Sequence, residues 1–274
     1  MITGSITVGI PFCNETNLAY LTSSINSIIN QTFNVDCIHL IKDGPISDDL
    51  EHLIKRYSDE YPNIEILSFP KKGLPYVLNQ SIMSCNTEYY ARMDSDDIAF
   101  DTRIEKQIRC LQKNPEIYIL GTWSKEFEDE SKMEDGFINR RPFNYNEIKN
   151  YFHYRSAFIH PTIVFRLSLF DKIGYYNETF LTAQDVELSG RALKNNIKIS
   201  NLQEPLLYYR IKGVQGRRSD FGAIKRQIIA KYSYNTLSLK SNLRKINDEL
   251  DSLRNKSLDD DIELLDDETI DDEI

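Results

Sequence analysis

No stretch of this chain approaches the ~18–20 consecutive apolar residues of a membrane-spanning helix, which excludes a helical integral membrane protein. The first residues, Met1 to Phe12, lack a basic segment, and their apolar run stops at Pro11. They read as a first strand and not as a signal peptide, so a cytoplasmic location is expected. Cysteine is scarce and scattered: Cys13, Cys37, Cys85 and Cys110 form no C-x-x-C pair and have no histidine at zinc spacing. Reduced, mostly packed thiols are expected. Glycine-rich phosphate loops are missing too, with no G-x-G-x-x-G after the first strand and no G-x-x-x-x-G-K anywhere. Dinucleotide dehydrogenases and P-loop NTPases are thereby disfavoured. No repeat of 20–50 residues is visible.

What is present is an ordinary globular composition, 41% hydrophobic and 27% charged over 274 residues, ample for a core. The net charge of −9 is unevenly laid out. Leu258 to Ile274 holds ten acids and no base, whereas Lys212 to Ser257 holds eleven bases and four acids, net +7. Residues 1–211 are left at −6. Three units follow: a catalytic domain at 1–211, a basic loop and amphipathic helical extension at 212–257, and an acidic tail at 258–274 that reads as disordered. The extension repeats Leu239, Leu243, Ile246, Leu250 and Leu253 at helical spacing, for docking on its own domain or for a homodimer contact. Its bases also suit peripheral attachment to anionic lipid at the inner face of the membrane. No nucleic-acid partner is expected.

The first half alternates short β-branched runs with helical spacings. Strands are expected at Ser5–Ile10, Cys37–Ile41, Ile64–Phe69 and Glu88–Met93. Helices are expected between them at Leu18–Asn30, Asp48–Tyr57 and Leu74–Met83, and after them at Arg103–Gln112. This order predicts an α/β fold, a mostly parallel sheet with helices on both faces. In the less regular second half, strands at Ile163–Phe165 and Leu206–Arg210 flank a helix at Asp185–Asn195. Ligands of such sheets bind beyond the carboxyl ends of the strands, at Pro11–Glu15, Lys42–Gly44, Pro70–Gly73 and Asp94–Asp97.

The densest chemical signal is Arg92-Met93-Asp94-Ser95-Asp96-Asp97. Three carboxylates in four residues after a buried strand repel one another unless a cation compensates them, which points to Mg²⁺ or Mn²⁺. An acidic first helical turn accounts for one or two of these acids but poorly for three. A calcium EF-hand fails because Ala99 and Ile98 stand where the loop needs glycine and a ligand. A second acidic site, Gln184-Asp185-Val186-Glu187, opens a helix and offers a base across the reacting carbon from the metal, either Asp185 or Glu187. The loop from Ile211 to Arg218 carries two glycines and four bases with Arg210, suited to closing over phosphates.

These motifs stand in a recognisable order. Val8-Gly9-Ile10-Pro11-Phe12-Cys13-Asn14-Glu15, Ser27 to Thr32, Lys42-Asp43-Gly44 and Gly73-Leu74 through Leu78-Asn79 come first. Ala91 to Asp97 with Arg103, His160-Pro161-Thr162 and Gln184-Asp185 follow. Over residues 5–210 the chain resembles the inverting family 2 glycosyltransferases of GT-A fold, in the branch that assembles bacterial O-antigen, capsule and exopolysaccharide. The resemblance implies a nucleotide-diphospho-sugar donor, a UDP-hexose or UDP-N-acetylhexosamine, with its base near Pro11, Phe12 and Glu15 and with Asp43 at the uracil or ribose. It puts Asp94 by the ribose and the metal, Asp96 on the metal, and Arg92, Lys212 and Arg217 with the donor. Asp185 becomes the general base of a single inverting displacement, and Gln184, Glu187 and His160 face a polysaccharide or lipid-linked oligosaccharide acceptor. Gln184 replaces the family's usual Glu, and Lys212 stands where many relatives have a His. Beside this reading stand a sugar nucleotidyltransferase, which needs a glycine-rich loop that is absent, and a non-catalytic scaffold recruiting partners through its charged segments.

Overall fold

The computed structural model describes residues 4–152 and 155–211. Lys212, Arg217, the basic extension and the acidic tail lie outside the described residues. The first half runs β1 (Ile6–Phe12), α1 (Leu18–Ile29), β2 (Cys37–Asp43), α2 (Asp48–Glu60), β3 (Ile64–Phe69), α3 (Leu74–Met83) and β4 (Tyr89–Arg92). It matches the expected alternation to within a few residues at each end. The β3-β2-β1-β4 half of the sheet is parallel throughout.

The rest of the sheet departs from that pattern. A two-residue β5 (Ile98–Ala99) and α4 (Arg103–Lys113) lead into β6 (Ile117–Phe127), an 11-residue strand that sequence periodicity does not mark. β7 (Phe137–Asn139), α5 (Tyr145–Tyr151), β8 (Val164–Arg166), α6 (Leu169–Ile173), α7 (Gln184–Lys194) and β9 (Lys198–Arg210) follow. The strand order continues β4-β8-β6-β9-β5, with β8 antiparallel to both β4 and β6, and β9 parallel to β6. The sheet is therefore parallel on one side and mixed on the other. The strand expected at Leu206–Arg210 is only the end of the 13-residue β9. Register shifts between Ile117 and Ile119, Thr122 and Trp123, and Trp123 and Lys125 break the period of two, which is why β6 and the start of β9 look irregular in sequence.

Each face of the sheet carries its own core. Ile6, Val8, Ile10 and Phe12 of β1 pack with α1, α2 and α4 on one side. Val77, Leu78 and Ile82 of α3 pack with Tyr90, Ile119, Phe165 and Leu188 on the other. β1 and β4 are buried along their whole length, as a strand covered on both faces must be. The side of β1 that faces α3 is cleared for Tyr90: a Cβ on Gly9 would lie 1.8 Å from the Tyr90 hydroxyl. That hydroxyl is 3.0 Å from the Ser81 Oγ.

Candidate active site

The carboxyl ends of β1, β2 and β4 meet at one edge of the parallel half, with Phe12 paired to Lys42 and Asp43 to Phe69. Asp43 does not stand free there. Its Oδ1 accepts from the Lys72 amide at 2.8 Å, and both its oxygens lie within 3.2 Å of the Gly73 amide nitrogen, pinning the turn after β3. Gly73 has φ +94°, a conformation that glycine enters without steric cost. Glu15, exposed beside this turn, pairs with Lys71 at 3.2 Å. A bond from the Cys13 thiol, the backbone at Glu15 itself and Lys71 hold its carboxyl down to about 2. Pro11 and Phe12 are both buried, and the Phe12 ring belongs to the core. What Phe12 offers the edge of the site is therefore its backbone.

At the end of β4 the chain turns into the acidic cluster. The loop from 94 to 104 is clamped by α1 through the residues that the sequence singled out at 27–32. The Ser27 Oγ accepts from the Ala99 amide at 3.0 Å, while Gln31 donates to the Phe100 carbonyl at 2.7 Å and accepts from the Ile104 amide at 2.9 Å. The Ser24 hydroxyl donates to the Asp94 carbonyl at 2.9 Å. Beneath the loop the fully buried Arg103 donates to the Arg92 carbonyl at 2.8 Å and to Gln107 at 3.1 Å, and burial pulls its guanidinium down to about 9.

Held this way, carboxylate oxygens of Asp94, Asp96 and Asp97 lie within 4.8 Å of one another. Asp94 forms an ion pair with Arg92, a side chain only 3% exposed. Asp97 is wholly buried: its Oδ1 accepts from the Arg210 amide at 2.9 Å and its Oδ2 has no hydrogen-bond partner. Burial, then Asp94 and Asp96, push its carboxyl well above the usual range. The Arg210 guanidinium donates to the Asp96 carbonyl at 2.9 Å and to Glu130 at 2.8 Å, tying the end of β9 to the cluster. An oxygen-only donor set with an orphaned buried carboxylate oxygen suits a hard divalent cation, and Asp97 joins Asp94 and Asp96 in it.

Asp185 stands on the first turn of α7, within reach of the Arg92 charge. Burial raises its carboxyl, against lowering by the Val186 and Asp185 amides, the Arg92 charge and the Ser156 hydroxyl. The residue before the helix, Ala183, sits in the left-handed region at φ +62°, a strained conformation for a residue with a Cβ. Gln184 is 6% exposed and its Oε1 is buried without a partner. His160 Nε2 is 2.8 Å from the Tyr176 hydroxyl, and burial together with Arg92 keeps its imidazole neutral. Arg92 is thus the common charge, felt by Asp94, Asp97, His160, Tyr176 and Asp185, and its Nε and Nη1 have no hydrogen-bond partner.

Glu187, two residues further along α7, is bracketed by a second arginine. It is 2% exposed, and Arg191 grips its two oxygens at 3.1 and 2.8 Å while also donating to the Ile173 and Tyr175 carbonyls. That is a structural bracket between α7 and the turn after α6. Tyr176 and Ser156 are the residues that sequence reasoning passed over, and neither carried a signal. Asp97, as the third acid of its run, and Arg210, as a base beside the glycine-containing loop, were marked without a role of their own. Asn79 holds the same region, exchanging two bonds of 2.9 Å with the backbone of Tyr176.

Comparison with known proteins adds the family. The model of "Glycosyl transferase family 2" matches residues 7–174. The amylovoran biosynthesis glycosyltransferase AmsE of Erwinia amylovora is 29% identical over 209 residues, covering 76% of this chain and 77% of that protein. The UDP-Gal:alpha-D-GlcNAc-diphosphoundecaprenol beta-1,3-galactosyltransferase of Escherichia coli is 30% identical over 219 residues, 78% of each chain. Among solved structures, S. aureus TarS 1–349 in complex with UDP superposes with a TM-score of 0.65 at 16% identity, covering 94% of this chain and 76% of that one. Longer TarS is spanned over 42% of its length, with a TM-score of 0.63. A buried acidic cluster at the carboxyl end of β4, a second acid at the head of α7 and the match along most of the sheet agree: the chain belongs to glycosyl transferase family 2 and is a glycosyltransferase of the GT-A fold.

Proposed function

We propose that the protein moves a hexose or N-acetylhexosamine from its UDP conjugate to a hydroxyl of a polysaccharide or lipid-linked oligosaccharide, inverting the anomeric carbon in one displacement. The observation that carries this reading is that the Asp94–Asp97 carboxylates and the half-buried Asp185, which come from β4 and from α7, share the charge of one buried arginine, Arg92. A single displacement needs a base separate from the acids that hold the leaving group. Solved relatives of the fold hold UDP and UDP-GlcNAc, and a relative by sequence is named for UDP-Gal.

Asp94, Asp96 and Asp97 would hold Mg²⁺ or Mn²⁺, which neutralises charge on a departing diphosphate. Asp43 and the turn it pins, with Glu15 and the backbone at Pro11 and Phe12, form the edge that takes the nucleoside. The two unpartnered N–H groups of Arg92 donate to the diphosphate or to the sugar. Asp185 takes the proton of the attacking acceptor hydroxyl, and the rise that burial gives its carboxyl makes it a stronger base than an exposed aspartate. The Gln184 Oε1 accepts from a sugar hydroxyl, and His160 orients the site through Tyr176. Lys212 and Arg217 act on the donor from outside the described residues, and the basic 212–257 extension attaches the enzyme to anionic lipid, where lipid-linked acceptors reside. Screening UDP-galactose, UDP-glucose and UDP-N-acetylglucosamine for metal-dependent release of UDP tests the assignment. Release by the parent protein and its loss in Asp96→Ala and Asp185→Ala are expected; unchanged turnover in both variants would overturn it.

A further inference from the structure

At the other end of β2 a second group of metal-ligating side chains is assembled. Cys37 and His39 are two apart on a strand, so both point to the same face of the sheet. Glu65 of β3 is the register partner of His39 and stands beside it. The Cys37 Sγ, a His39 ring nitrogen and a Glu65 carboxylate oxygen lie within 4.8 Å of one another, and His39 Nε2 is 3.7 Å from Glu65 Oε2. Ligands on a tetrahedral ion with bonds of ~2.0–2.3 Å stand roughly 3.3–3.6 Å apart, so the group is close to the spacing of a bound state. The separation from Asp43 is six residues of strand, about 20 Å at ~3.3 Å per residue, so this group is not an extension of the donor site.

The surroundings are built as well. His39 is buried, and its Nδ1 is fixed by the Ser81 Oγ at 2.9 Å, which in turn meets Tyr90 at 3.0 Å. In the tautomer whose Nδ1–H donates to Ser81, the Nε2 lone pair is free to bind an ion on the Glu65 side. This is the arrangement in which a ligating histidine is oriented by a hydrogen bond from its other nitrogen. Without an ion, burial and then the Glu65 charge push the Cys37 thiol up to about 12, so only a bound cation would draw its proton off near neutral pH. Glu65 is exposed, its side chain 61% accessible, which leaves a path for the ion and room for a water.

We propose that Cys37, His39 and Glu65 form a zinc site, with the fourth position taken by water. One sulfur, one imidazole nitrogen and one carboxylate are a donor set for Zn²⁺ and not for Mg²⁺ or Ca²⁺. On binding, the Cys37 S–H bond breaks, its proton leaves to solvent and the thiolate bonds to the ion.

The test is a Co²⁺ titration of the reduced, chelator-stripped full-length protein, followed by the near-ultraviolet absorption of thiolate-to-cobalt charge transfer. The band is expected in the parent protein and in Asp96→Asn, and one equivalent of Zn²⁺ should abolish it. It should vanish in Cys37→Ser, and Glu65→Gln, at an exposed position where the fold is not at risk, should weaken binding by at least ~10-fold. No band in the parent protein, a band that survives Cys37→Ser, or equal affinity in Glu65→Gln would each overturn the proposal.

Discussion

The carboxylates of the site do different work because their surroundings differ. Asp185 is raised by burial while two amides and Arg92 resist the rise, so its carboxyl stands above the ordinary aspartate value of ~3.9, as the proposed general base requires. Asp185→Asn is expected to lower kcat by roughly 10³-fold with KM little changed, the usual scale for a lost general base. The acid limb of the kcat/KM profile should lie above that ordinary value, with activity lost as pH falls and Asp185 takes its proton. Asp97 carries the opposite cost. Its carboxyl binds a proton more tightly folded than unfolded, so its contribution to stability is present at low pH and lost as pH rises through the folded value. Asp97→Asn keeps the acceptor for the Arg210 amide and removes the buried charge. It should stabilise the metal-free protein near neutral pH by ~1 kcal/mol and flatten this pH dependence, measured by thermal melts across pH, while weakening metal-dependent donor binding. The acid run at 94–97 was legible in sequence; that Asp97 is the buried member and that Glu187 belongs to Arg191 was not, since both depend on what packs above them.

Among the elements, β1 and β4 are the pair on which the site's placement rests. The Met93 amide donates to the Gly9 carbonyl at 3.1 Å, and the Tyr90 hydroxyl fills the space above Gly9. Gly9→Ala therefore forces the Tyr90 ring aside and should cost ~1–3 kcal/mol in denaturant unfolding, as overpacking of a tight core does. Tyr90→Phe should recover part of that loss, because it removes the nearest atom; a double-mutant cycle reads the coupling. The alternating half of the chain was readable because parallel strands and amphipathic helices announce themselves by runs and by period. β6 was not, because Gly121 and three register shifts interrupt its pattern. The short motifs at 27–32, 78–79 and 160–162 looked like family marks in sequence. In the fold they are fasteners: Gln31 for the acidic loop, Asn79 for the turn at Tyr176, and Thr162 for β6 through the Thr122 amide at 3.1 Å.

For the whole molecule, the described domain is one sheet with two cores, and among the described residues no helix is long and apolar enough to cross a membrane. If residues 212–257 attach the enzyme to anionic lipid as proposed, their net charge of +7 makes the hold sensitive to salt. The protein is expected to sediment with vesicles containing anionic lipid at low salt and to release as ionic strength rises past ~0.15 M, with no binding to neutral vesicles. Deleting residues 258–274, which carry ten acids and no base, should strengthen that binding. Sequence alone determined the alternating first half, the acidic cluster after β4, the second acid at 185 and the three charge blocks, because each is written in residues close along the chain. Tertiary structure decided which carboxylates face a ligand and which face an arginine, how β8, β6 and β9 complete the sheet, and that Cys37, His39 and Glu65 stand together. Those outcomes turn on strand register and on packing between segments tens of residues apart, and local pattern carries no information about either.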